Sequence, residues 1–128
     1  MARLGLSRSV VFTGVRDDVN RIVAAFDVFV FPSLYEGLGL AVIEAQALGI
    51  PCVISDAIPP EVDIGLGLVE RVSLRAGVGA WLEAIRRAAG RQHRTDAVSR
   101  AEALGRSGYD ISSVVQTLCQ VYAHENVS

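Results

Sequence analysis

The chain has no lysine. All 12 basic residues among its 128 are arginines, which excludes Schiff-base chemistry on a lysine side chain. It has only two cysteines, Cys52 and Cys119, too few and too far apart for a disulfide framework or a zinc site. Cys52 falls in a strand-like apolar run and Cys119 in a helical one, so both read as reduced core thiols of a cytoplasmic protein. No basic excess exists: the net charge is −2, which offers nothing to nucleic acid. No long apolar run exists either. The longest, Ile22 to Leu34, is broken by Asp27 and Pro32, so it is not a membrane span. Met1 to Phe12, interrupted by Arg8 and Ser9, is too short for a secretory signal. Two histidines, His93 and His124, lie in the helical tail and read as surface residues.

What is present is a chain 51% hydrophobic and 20% charged, enough apolar material to pack one domain. Residues 1–9 read as the tail of a helix and a loop. Val10 to Thr13, stopped by Gly14, reads as a short strand. Asp17 and Asp18 supply an N-cap for a helix carrying Val19, Ile22, Val23 and Phe26 at helical spacing. Val28 to Phe31 is a continuous apolar run, as expected of a parallel strand buried on both faces. Gly39 to Leu48 reads as a helix closed by Gly49, with Pro51 just beyond. Pro51 to Ser55 is a further buried strand, and Leu68 to Leu74 a last, edge-like one. Helical segments follow at roughly 78–89, 92–105 and 112–124; Val78, Trp81, Leu82 and Ile85 mark the apolar face of the first. The alternation of strands and helices is that of a parallel α/β sheet of about four strands, with residues 1–75 as its core and 76–128 as a helical tail.

In open α/β sheets ligands bind beyond the carboxyl ends of the strands. Ser33 to Leu40, Gly14-Val15-Arg16 and Ser55-Asp56 stand at such ends. A helix starting near Gly39 aims free N–H groups and a positive dipole end at the crevice, where a diphosphate is stabilised. Gly37 and Gly39 either admit a ligand close to the backbone or only shape the turn. Glu44, separated from Glu36 by seven residues, leans back toward the helix start and can accept from the vicinal hydroxyls of a ribose; the alternative is a solvated helix residue. Glu36 either accepts from sugar hydroxyls or holds the turn. Together these features suit a nucleotide-activated sugar.

Phe31-Pro32-Ser33-Leu34-Tyr35-Glu36-Gly37-Leu38-Gly39-Leu40, followed by Glu44-Ala45-Gln46-Ala47-Leu48-Gly49-Ile50-Pro51, resembles the nucleotide-sugar site of retaining family 4 glycosyltransferases with the GT-B fold. Ile54 to Val62 and Gly108-Tyr109-Asp110-Ile111 are similar to the branch that makes capsular and exopolysaccharides. The resemblance implies transfer of a sugar, with retention, from a nucleoside diphosphate sugar to a polysaccharide or glycolipid precursor. It implies that Glu36 sits by the donor sugar as the catalytic carboxylate and that Glu44 binds the ribose. Ser33 and the amides of Gly37, Leu38, Gly39 and Leu40 then meet the diphosphate and sugar, and Gly14, Val15 and Arg16 border the base. It implies no metal or other cofactor, in keeping with the lack of an Asp-x-Asp pair; Asp17-Asp18 are adjacent and read as helix caps.

The resemblance covers only the later part of a C-terminal donor domain, so a saccharide or lipid-linked acceptor is expected to meet an N-terminal domain outside this chain. The first two strand–helix units of the donor domain, with an Arg and a Lys for the diphosphate, are likewise expected to lie outside it, and Arg16 matches neither. In the strand order 3-2-1-4-5-6 the segment Val10 to Thr13 is strand 3 and Val28 to Phe31 strand 4, which are not neighbours. Either strand 3 moves beside strand 4, or an apolar edge stays open and invites self-association. Three readings follow: a glycosyltransferase segment, inactive alone and working in the cytoplasm or at the inner face of the membrane; a non-catalytic nucleotide-binding module; or a vestigial fragment.

Overall fold

The computed structural model describes residues 5–91 and 95–125. Its elements run α1 (Val19–Val23), β1 (Phe29–Phe31), α2 (Leu40–Ala47), β2 (Cys52–Ser55), a 3-10 turn (Pro60–Val62), β3 (Val69–Val72), α3 (Gly77–Gly90), α4 (Ala97–Arg106) and α5 (Ile111–Glu125). The three strands form one parallel sheet in the order β1-β2-β3. Phe29 lies opposite Cys52 and Phe31 opposite Ile54; Cys52 in turn faces Val69, and Ser55 faces Val72.

Successive side chains along each strand turn to opposite faces of the sheet, and the central strand β2 is buried on both. Phe29, Phe31, Cys52 and Ile54 point to one face, where Val42, Ile43 and Ala45 of α2 join Ile58, Val62, Ile64 and Ala103 of α4 in the main core. Val28, Val53 and Val72 point to the other face, against Trp81, Ala84, Ile85 and Ala88 of α3. The fully buried Val and Ile side chains among these each stabilise the fold by about 1.5–3 kcal/mol. The second core is fastened by a polar contact: the Trp81 indole N–H donates to the Ser73 carbonyl at 3.2 Å, just past β3.

The structure corrects several expectations. Val10 to Thr13 forms no strand; Val11 and Phe12 are each 82% exposed. β propensity alone cannot hold a strand, and no neighbour pairs with this one among the described residues. Among the described residues the sheet therefore has three strands rather than about four. β1 is not buried on both faces: α2 covers the side of Phe29 and Phe31, but α3 packs mainly on β2 and β3 and leaves Val30 40% exposed. Asp18 occupies the N-cap of α1 without a side-chain cap bond, since Arg16 holds its carboxylate at 2.7 and 3.0 Å. On α3 the buried face is Ala84 and Ala88 with Trp81 and Ile85, while Val78 and Leu82 are exposed. Cys119 is exposed, not a core thiol. Residues 5–9 make turns, with no helix end; residues 1–4 and His93 lie outside the described residues, as does the side chain of His124.

Candidate functional site

The site begins where the chain leaves β1. Ser55, the last residue of the central strand, is fully buried, and its hydroxyl donates to the Ser33 carbonyl at 2.5 Å. That bond ties the β1–α2 loop to the end of β2. The Ser33 hydroxyl stands 2.9 Å from Glu36 Oε1 and 3.0 Å from the Tyr35 carbonyl oxygen. Its single proton serves one acceptor at a time, and the carboxylate is the stronger. Glu36 is half-buried and held locally by this hydroxyl rather than by the turn's own N–H groups.

Gly39 is the N-cap of α2, at φ 75° and ψ 46° in the left-handed region. A Cβ there would stand 3.2 Å from Val62 Cγ1 and 3.4 Å from Ile58 Cγ2. The glycine is thus required by the turn and by its packing. Gly37 differs: a Cβ on it would meet nothing within 4 Å, so its surroundings are open. No side chain caps α2; the Val42 N–H turns back to the Gly39 carbonyl at 2.9 Å, which leaves the N–H groups of Leu40 and Ala41 for solvent or ligand. Glu44 is exposed and shares a face with exposed Leu40, one turn nearer the helix start. Its carboxylate has no hydrogen-bond or ion-pair partner among the described residues.

Gln46 is the residue whose role the sequence pattern hid. It is fully buried on the core face of α2. Its Nε2 donates to the Val42 carbonyl at 3.2 Å and to the Val62 carbonyl at 2.6 Å, and its Oε1 accepts from the Ile64 N–H at 3.3 Å. It pins the 58–64 loop, whose Ile58 and Val62 press on Gly39. Arg71 clamps the same loop from β3, donating to the carbonyls of Ile58 at 2.6 Å and Pro59 at 3.0 Å. The Tyr109 hydroxyl donates to the Glu61 carbonyl at 3.2 Å. At the other end of α2, Arg100 Nε donates to the Ala47 carbonyl at 3.0 Å, a cation at the negative end of the helix. A polar Gln four residues after Val42 among apolar neighbours was the available signal for Gln46.

Beyond the strand ends lies an open cleft of about 570 Å³, lined by Leu34 after β1, Asp56 and Ala57 after β2, and Ser73, Leu74 and Arg75 after β3. Gly14, Val15 and Arg16 are exposed and follow no strand, and the Arg16 guanidinium is engaged by Asp18. This pairing raises the Arg16 pKa and lowers that of Asp18. The buried Cys52 thiol is pushed up to about 12 by desolvation and by Asp63, so it is an inert core group. Among the described residues no three His, Cys, Asp or Glu side chains cluster as metal ligands, and no helix is long and apolar enough to cross a membrane.

The parallel sheet, the helix without a side-chain cap and the two acids after β1 form one strand–turn–helix unit, and sequence comparison shows the family that the chain belongs to. The family model described as glycosyl transferases group 1 matches residues 1–91, and the chain belongs to that family. It is 46% identical over 119 residues to EpsF of Bacillus subtilis (strain 168), named as a glycosyltransferase, covering 91% of this chain and 30% of that protein. It is 45% identical over 53 residues to the UDP-Gal:alpha-D-GlcNAc-diphosphoundecaprenol alpha-1,3-galactosyltransferase of Escherichia coli, covering 41% of this chain and 14% of that one. The lipopolysaccharide core biosynthesis mannosyltransferase LpsB of Rhizobium meliloti (strain 1021) is 38% identical over 56 residues, 44% of this chain and 16% of that protein. The chain thus spans less than a third of these relatives' lengths.

Proposed function

We propose that this chain is the donor-binding part of a glycosyltransferase that moves a sugar, with retention, from a nucleoside diphosphate sugar to a polysaccharide or lipid-linked saccharide. The observation that carries the reading is the Ser33–Glu44 segment: a carboxylate fixed beside an uncapped helix start, and a second, unpartnered carboxylate one turn into the same helix. The diphosphate lies at the start of α2, where free N–H groups and the dipole stabilise charge building on the leaving group. Glu36 meets the donor sugar, and Glu44 accepts from the ribose hydroxyls. The Gly14-Val15-Arg16 segment borders the base. The acceptor is held by a further domain, and no metal takes part. The protein works in the cytoplasm or at the inner face of the membrane. The names of the relatives, which mention a galactosyltransferase acting on a diphosphoundecaprenol-linked sugar and a lipopolysaccharide mannosyltransferase, support an envelope or exported polysaccharide as the product.

Calorimetric titration with nucleoside diphosphate sugars tests the reading. Glu44→Ala should weaken binding by about 1.5–3 kcal/mol, the range for a hydrogen bond to a charged group. Donor affinity that does not change with Glu44 removes the ribose assignment.

A further inference from the structure

The strand-end cleft is separate from the Gly37–Leu40 turn and has no role in the contacts assigned above. Its lining alternates in kind. Leu34, Ala57 and Leu74 are apolar; Asp56, Ser73 and Arg75 bring a carboxylate, a hydroxyl and a guanidinium. Asp56 and Arg75 carry opposite charge and line the same cleft, yet neither makes a side-chain hydrogen bond or ion pair among the described residues. The segments that carry them are fixed by backbone bonds. The Asp56 N–H donates to the Val72 carbonyl at 3.2 Å, and the Ala76 N–H to the Ser73 carbonyl at 3.0 Å. The Ser73 carbonyl also accepts from Trp81, so the mouth of the cleft is built on rigid strand ends. Leu34 lies between Ser33 and Glu36, which puts the cleft next to the fixed carboxylate in the chain.

We infer that this cleft is a saccharide subsite, in which Asp56 accepts from and Arg75 donates to the hydroxyls of a pyranose ring that rests on Leu34, Ala57 and Leu74. Its volume of about 570 Å³ lies within the range of roughly 300–1,000 Å³ usual for small-molecule sites. A sugar needs both kinds of wall: C–H faces against apolar side chains, and hydroxyls that both give and take protons. A carboxylate can only accept and a guanidinium can only donate, so the pair reads hydroxyl orientation. The inference rests on the nucleotide-sugar reading. The occupant is either the sugar of the donor or a sugar of the acceptor, which share this chemistry.

Saturation-transfer NMR on the 128-residue chain separates the possibilities, using UDP-galactose, GDP-mannose, the free nucleoside diphosphates and a free N-acetylglucosamine disaccharide. Asp56→Asn and Arg75→Gln alter exposed side chains and leave the fold intact by circular dichroism. The expected result is a loss of at least half the saturation on sugar protons in both variants, with nucleotide protons unchanged. Loss only for nucleotide-linked sugar identifies the donor, and loss for the free disaccharide identifies the acceptor. Sugar signals that persist undiminished in both variants overturn the subsite while leaving nucleotide binding in place. A wild-type chain that saturates neither sugar nor nucleotide protons overturns both readings.

Discussion

The Ser33 hydroxyl stands 2.9 Å from the Glu36 carboxylate, and the Ser33 carbonyl is itself held by Ser55 at the end of the central strand. The acid that the account places beside the donor sugar is therefore positioned from the sheet, through one serine. Ser33→Ala removes the hydroxyl but keeps the Ser55 bond to the backbone. It should leave the melting temperature nearly unchanged and weaken nucleotide-sugar binding by up to about 1.5–3 kcal/mol, the range for a hydrogen bond to a charged group. Titration of the variant by calorimetry checks this; an equal loss for Ser33→Ala in folding stability would mark the serine as structural only.

Gly39→Val should unfold the start of α2 rather than merely block a ligand. The left-handed φ costs a non-glycine residue about 1–2 kcal/mol, and overpacking against Ile58 and Val62 adds about 1–3 kcal/mol. Urea melts should show this loss. Gly37→Ala, with open space around it, should keep stability within about 0.5 kcal/mol of the wild type, as an exposed surface change does. A Gly39→Val chain as stable as the wild type contradicts the turn geometry.

Gln46→Met should be among the most damaging changes outside the site. It strands the Val62 carbonyl and the Ile64 N–H in the core, at about 1–3 kcal/mol for each unsatisfied group. The 58–64 loop then loosens over Gly39, so donor affinity should fall together with the urea midpoint. A change in neither shows that the loop is held by Arg71 and Tyr109 alone.

How far the sequence foretold these relations depends on whether a feature is local. The α2 segment, its glycine stops and the strand at Cys52–Ser55 were legible because period, Gly and Pro act within a few residues. The places of Glu36 in the turn and Glu44 on α2 followed from their spacing along the chain, since turn and helix are local features. Val10 to Thr13 misled, since a strand exists only through a neighbour that the local pattern cannot reveal. The exposure of Val30 escaped for a similar reason: an apolar run does not tell an edge strand from a covered one. Gln46 was hidden because two of its three partners, Val62 and Ile64, lie on another loop, and Arg16 because its nearest acid was read as a cap. The Asp56–Arg75 cleft comes from three loops, a juxtaposition set by the strand order and not by spacing along the chain.

Cys52 gives a pH test. Its folded pKa is about 12 against an ordinary 9.0, so the neutral thiol is the form the fold prefers. The contribution is fully present below pH 9 and is lost as pH rises from 9 toward 12, where the unfolded thiol ionises first. Within that window stability should fall by up to about 1.4 kcal/mol per pH unit. Cys52→Ala should remove that part of the slope. In native protein a thiol reagent should modify exposed Cys119 rapidly and buried Cys52 only after denaturation; two rapidly reacting native thiols contradict the burial.

Among the described residues no strand pairs with the outer edge of β1, and beside it Val30, Pro32, Val78 and Trp81 line an apolar groove of about 350 Å³. Open apolar edges associate. Light scattering on the purified chain should show concentration-dependent self-association, and Val30→Lys should reduce it. A strictly monomeric wild type at high concentration goes against this.

The central claim is that a nucleotide sugar binds along Ser33–Glu44, and amide mapping by ¹H–¹⁵N correlation NMR tests it most directly. On titration with a nucleoside diphosphate sugar, the amides of Ser33 to Leu40 should move first and furthest. Those of Ala97–Arg106, packed behind α2, should stay in place. Saturable shifts confined to α4 and the C-terminal helix, with Ser33 to Glu44 unmoved, would contradict the account.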